Sequence, residues 1–137
     1  MTTAPETETL SVVVEREMAF PPEKIWRALT QPHLIEEWLM KTDFKPVMDQ
    51  KFTLSGDWGA VDCQVLEVEP NTALSYTWAA FGLESVVTWT LTPTSSGTRL
   101  RMEQSGFQQS QQQFYQGAQA SWPEFFTKLE QVLARAD

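Results

Sequence analysis

Phe114–Val132 reads FYQGAQASWPEFFTKLEQV, and the spacing of its apolar side chains decides the fold. Phe114, Ala118, Trp122, Phe125, Leu129 and Val132 recur at steps of four, four, three, four and three, which is the stripe of an amphipathic helix. At about 1.5 Å per residue, a helix from Gln111 to Ala136 would reach roughly 39 Å. Pro123 falls inside the stripe, removes one backbone donor and crowds the preceding turn. A kink is expected there, or a restart with Ser121 near the N-cap. The glutamine-rich stretch from Gln108 to Gln119 is read as a solvated helix face.

N-terminal to this helix, Thr42 to Gly106 reads as antiparallel strands. Asp43–Val47 is a weak one, interrupted by Pro46, and Lys51–Ser55 follows. Within Ala60–Glu69, Val61, Cys63 and Val65 share one phase and Leu66 and Val68 the other, which predicts a bulge near Val65. Leu74, Tyr76 and Trp78 alternate with Ser75 and Thr77. Val87, Trp89 and Leu91 alternate with threonines, and Leu100 and Met102 with charged residues. A clean period of two leaves one sheet face wet and the other packed. The amphipathic tail is the only element long enough to cover the packed face.

The first strand is signalled by Leu10, Val12, Val14, Met18 and Phe20, which share a parity. Arg16 falls in phase with them and is read as a bulge or a strand-end side chain reaching water. Pro21-Pro22 ends the strand, and Pro22 with Glu23 suits the start of a helix that buries Ile25, Trp26 and Leu29. Pro32 separates a second short helix, Pro32–Leu39, presenting Leu34, Ile35 and Trp38. Residues 1–9 are read as a disordered leader and residues 10–137 as one domain.

Composition narrows the function classes. Ten Lys and Arg against eighteen Asp and Glu leave a net charge of −8, which disfavours a nucleic-acid footprint. One cysteine and one histidine exclude an internal disulfide and the usual zinc sites, and no metal or cofactor is expected. No signal-peptide core is visible, and no run approaches the ~18 apolar residues of a membrane span, so a cytoplasmic location is expected. Six tryptophans, eight phenylalanines and two tyrosines could each bury roughly 150–250 Å². Either they fill the core or they line a cavity.

Parity supplies candidate lining residues. Cys63 and Val65, then Tyr76 and Trp78, then Val87, Trp89 and Leu91, and finally Met102 beside Leu100 all share the inward phase. Trp38, Phe114 and Trp122 are placed to close the ends. Tyr76 and Cys63 are the only polar handles in that set, which suits an apolar small-molecule pocket and suits a packed core equally. Charged side chains fall mostly on the outward parity or at strand ends, where they make poor general acids or bases. His33 is read as a surface or capping residue. Cys63 has no basic neighbour in sequence to activate it and is read as an inert buried thiol.

Several pieces together resemble the activator of heat-shock-protein-90 ATPase homologue family, within the START/birch-pollen-allergen-like superfamily. They are Arg16–Trp26 (REMAFPPEKIW), Ala28-Leu29-Thr30-Gln31-Pro32 with Trp38, and Val68-Glu69-Pro70 with Leu74-Ser75-Tyr76-Thr77-Trp78. Val87-Thr88-Trp89-Thr90-Leu91, Gly97-Thr98-Arg99-Leu100, Ser105-Gly106-Phe107 and the pair Trp122 and Leu129 complete the series. Phe20, Asp49-Gln50 and Ser121 depart from the family pattern, and they bear on the pocket mouth rather than the fold. The resemblance implies an α+β helix-grip fold: a curved antiparallel sheet of about seven strands, two short helices, and the long C-terminal helix across the concave face above a deep cavity.

The function expected from residues and resemblance together is non-catalytic binding of a small hydrophobic or aromatic molecule, with Tyr76 supplying a directional hydrogen bond. The resemblance also implies two alternatives, a heat-shock protein 90 ATPase-activator-like chaperone partner and a cyclase- or dehydratase-like enzyme.

Overall fold

The computed structural model describes residues 9–57 and 59–135 of the chain. Alternating side chains build β1 (Thr9–Met18), β2 (Lys41–Thr42), β3 (Lys51–Gly56), β4 (Gly59–Glu69), β5 (Ala73–Ala80), β6 (Leu83–Thr94) and β7 (Gly97–Gln108). All pairings are antiparallel, in the order β1-β7-β6-β5-β4-β3-β2. Two short helices, α1 (Pro22–Thr30) and α2 (Pro32–Trp38), follow β1, and α3 (Gln112–Arg135) closes the chain. This is the α+β helix-grip arrangement, with an open curved sheet around a long C-terminal helix.

Local chemistry explains the punctuation. Pro22 opens α1, and Pro32 opens α2 after Gln31 takes an extended backbone, as a residue before proline prefers. Two bulges adjust the sheet. Leu66 is the extra residue between the pairs Val65–Tyr76 and Glu67–Ser75, where a bulge was expected. Gly106 is the extra residue of β7 opposite Leu10 and Ser11. Its φ of 111° suits glycine, and the bulge returns Phe107 to the buried side.

Four expectations are corrected. The strand foreseen over Asp43–Val47 reduces to Lys41–Thr42. Pro46 has no N–H to give, and the Asp43 side chain accepts from Thr53 N at 2.9 Å where a ladder bond would run. The segment instead turns Phe44 into the core. The first strand begins at Thr9, which pairs with Gln108; the rest of the expected leader, residues 1–8, lies outside the described residues. The terminal helix does not restart near Ser121 but runs through Pro123 as one element. Gln119, whose carbonyl loses its partner to the proline, is exposed to water, and the Pro123 carbonyl accepts from Thr127 Oγ1 and Arg16 Nη2, each at 3.1 Å.

The fourth correction is Arg16, which is neither a bulge nor a side chain simply reaching water. It pairs with Leu100 in regular register and crosses to α3, where Nη1 meets Glu130 Oε1 at 2.7 Å and its guanidinium lies 5.7 Å from the Phe126 ring centre. An in-phase arginine is tolerated because its stem packs while its head finds a carboxylate at the margin of the core.

Candidate functional site

Between sheet and helix the rings form one connected cluster. Trp89, fully buried, stands at its centre, with Trp38 at 5.6 Å edge-on, Trp122 at 5.7 Å edge-on and Phe126 at 5.7 Å stacked. Phe44, Phe52 and Tyr76 extend it on one side, with Phe52 and Tyr76 at 5.2 Å. Trp78 and Phe125 extend it on the other, at 5.5 and 5.4 Å from Trp122. Edge-to-face contacts of this kind add to simple area burial. The polar tips are matched internally: Trp38 Nε1 donates to Ala28 O at 2.8 Å, and Trp89 Nε1 donates to the Tyr76 hydroxyl at 3.0 Å.

Open space adjoins this cluster at one end. A cleft of about 330 Å³ opens between the β5–β6 hairpin, β7 and the first half of α3, with Trp78, Leu83, Phe107, Phe114, Trp122 and Phe125 among its walls. Gln104 is also in the wall, and among the described residues no ionisable side chain is. The first turns of α3 overhang this space, which is why its buried stripe starts only at Trp122 and continues through Phe126, Leu129 and Val132. Phe125 is half-buried and Phe114 remains 36% exposed. Gly117 faces the cleft, and a side-chain carbon added there would meet none of the described residues within 4 Å.

The β5–β6 hairpin reaches the cleft through a two-residue turn, Phe81-Gly82, with φ of 53° and 85°. Both central residues of such a turn need positive φ, and a non-glycine residue there costs about 1–2 kcal/mol. Phe81 nevertheless occupies it, with its ring against Gly59 and its face in the cleft wall. Strained backbone retained beside a cavity is a common companion of function. Gln111 Nε2 donates to Gly82 O at 3.3 Å, tying the approach to α3 to the same turn.

The residues expected to line a pocket divide accordingly. Trp78, Phe114 and Trp122 come together in the cleft wall. Trp38, Val65, Tyr76, Val87, Trp89, Leu91 and Met102 are buried in the core and do not line the cleft. Cys63 is buried on β4 opposite Phe52, away from it. The Tyr76 hydroxyl is already the acceptor for Trp89, and burial holds its pKa well above the ordinary value despite that hydrogen bond.

One polar residue was missed. Gln104 is 2% exposed; its Oε1 accepts from Trp122 Nε1 at 2.7 Å and its Nε2 donates to Ser85 Oγ at 3.0 Å. Ser85 in turn donates to Trp78 O at 2.8 Å. The signal was present in the alternation, since Gln104 continues the inward phase of Leu100 and Met102.

Burial pushes the Cys63 thiol up to about 12, with the Asp62 and Asp43 carboxylates adding to it. The folded chain therefore keeps a proton that the unfolded chain releases from the ordinary 9.0 upward. Its contribution is fully present below that value and is lost as pH rises toward 12. The urea midpoint is expected to fall over this alkaline window, and Cys63→Ala should flatten part of the fall. At pH 8 iodoacetamide should label the denatured chain and spare the native one.

Comparison with known proteins follows the same lines. A family model described as activator of Hsp90 ATPase homolog 1-like protein matches residues 19–134. The crystal structure of protein MLL2253 from Mesorhizobium loti is 61% identical, over 93% of this chain and 99% of that one, with a TM-score of 0.91. DynU16, from the dynemicin biosynthetic locus, is 25% identical over 93% of this chain and 47% of that one, with a TM-score of 0.80. The Aha1 dimer from Colwellia psychrerythraea shares the fold, at 19% identity over 90% of this chain and 96% of that one and a TM-score of 0.82. No curated protein matches the chain. No helix among the described residues is long and apolar enough to cross a membrane.

Proposed function

The chain belongs to the activator of Hsp90 ATPase homolog 1-like family, and from that premise we propose that it binds a small, largely apolar, aromatic-bearing molecule without transforming it. The observation that carries this reading is the cleft of about 330 Å³ under the first turns of α3, walled mainly by apolar side chains, six of them aromatic. Its volume sits at the lower end of small-molecule sites, and apolar walls with few placed polar groups are their usual make-up. General acid–base chemistry needs an ionisable group within reach of the reacting atoms, and the described residues of the cleft wall offer none. The occurrence of DynU16 in a biosynthetic locus agrees with a relative that handles a small molecule.

Gly117 gives the cleanest test. Filling the space with Gly117→Phe is expected to weaken binding of a neutral probe such as 2-acetylnaphthalene at least about tenfold. Thermal stability should be retained, since glycine is the poorer helix former. In the unaltered protein, the probe should shift the indole resonances of Trp78 and Trp122 more than those of Trp38 and Trp89. A probe that moves neither Trp78 nor Trp122, or that binds Gly117→Phe as well as the parent, removes the cleft as the site. Stimulation of a heat-shock protein 90 ATPase, or turnover of the probe, would replace this reading with one of its alternatives.

A further inference from the structure

The hydrogen-bond inventory of Gln104 is incomplete in an informative way. An indole N–H can only donate, so Trp122 fixes which end of the Gln104 amide is oxygen. The nitrogen end faces Ser85 Oγ, whose own hydrogen is committed to Trp78 O. That serine accepts one of the two amide hydrogens. The second makes no hydrogen bond among the described residues, although Gln104 is 2% exposed. Buried donors are almost always paired, and an unpaired one is costly. Gln104 lies in the cleft wall, and its amide is held in place by three successive hydrogen bonds running from Trp122 through Ser85 to Trp78.

We infer that Gln104 determines ligand specificity: the cleft selects a neutral aromatic molecule bearing a hydrogen-bond acceptor, such as a ring carbonyl or aryl ketone, placed against the free Nε2 hydrogen. The inference rests on the cleft being the binding site and adds the polarity of what it takes. Neutrality follows from the walls, because the described residues place no ionisable side chain there to compensate a buried charge. The acceptor requirement follows from donor chemistry. A hydrocarbon of the same shape would leave the amide hydrogen unpaired after displacing water from it, whereas a carbonyl oxygen would satisfy it. Sites built to hydrogen-bond a ligand group discriminate strongly against analogues that lack it.

The test is a matched pair, 2-acetylnaphthalene and 2-ethylnaphthalene, titrated by tryptophan fluorescence and by chemical-shift perturbation. The parent protein is expected to bind the ketone about tenfold more tightly than the hydrocarbon. Gln104→Met removes the donor and should bring the two affinities together. Gln104→Glu keeps an acceptor for Trp122 Nε1 and, at a pH high enough to ionise its carboxyl, has no hydrogen to donate, so there it should also abolish the preference. The glutamate variant covers the case in which methionine disrupts folding. Equal binding of the two probes by the parent protein, or a ketone preference that survives in a folded variant, overturns the role of Gln104 and leaves the cleft standing as a site. Binding of neither probe overturns the cleft itself.

Discussion

Replacing Trp89 with alanine is expected to destabilise the protein by about 3–5 kcal/mol, the range for removing a buried large aromatic side chain. Trp89 is fully buried. Its ring touches Trp38, Trp122 and Phe126, which come from α2 and α3, so the loss would be felt on both sides of the core. Its Nε1 also donates to the Tyr76 hydroxyl, at 3.0 Å, and alanine would take that donor away from a hydroxyl in an apolar setting. Trp78 is the comparison. It is only half-buried and forms part of the cleft wall, so Trp78→Ala should cost clearly less stability while weakening aromatic ligands. Urea denaturation of the two variants measures the difference. Equal costs would mean that the space around Trp89 is as loose as the cleft, contrary to the packing described above.

Gly97→Ala carries the second large effect, a loss of about 3 kcal/mol, near the upper end for steric overpacking. Gly97 begins β7 at the turn from β6. A side-chain carbon there would collide with the Met18 carbonyl oxygen and sit 2.9 Å from both Ala19 Cα and Phe20 N. These are backbone atoms, which cannot swing aside as a flexible side chain would. The approach is held from the other side as well, since the buried Thr98 hydroxyl donates to Phe20 O at 2.8 Å. Accommodation therefore requires the end of β1 and the entry to α1 to move away from the sheet. Gly117→Ala is the control, because open space surrounds that position. It should leave stability unchanged or raise it by up to about 1 kcal/mol. If both glycine variants behaved alike, helix and strand propensity rather than close approach would be governing the response.

The glycine contrast shows how far a sequence can be read. Gly97 and Gly117 are the same letter, and nothing local separates one pressed against a neighbouring backbone from one over empty space. Trp89 and Trp78 likewise share an inward parity, yet one is the hub of the core and the other a wall of the cleft. Parity reports which face of the sheet a side chain takes and not how far along the sheet the covering helix makes contact.

Much of the architecture was nevertheless determined by the chain alone. Period-two alternation specified the strands and their inward faces because successive side chains in a strand point to opposite sides. Pro22 and Pro32 set the two short helices because proline's missing N–H is harmless at a helix start. The stripe ending in Trp122, Leu129 and Val132 required a helix lying on the sheet. Tertiary structure decided what those local rules leave open. The bulge at Gly106 returns Phe107 to the buried side, Arg16 reaches Glu130 across the gap between strand and helix, and the first turns of α3 overhang the packed rings. These outcomes depend on distances between residues remote in sequence, and the same distances leave a cleft at one end of the core with the Gln104 amide in its wall.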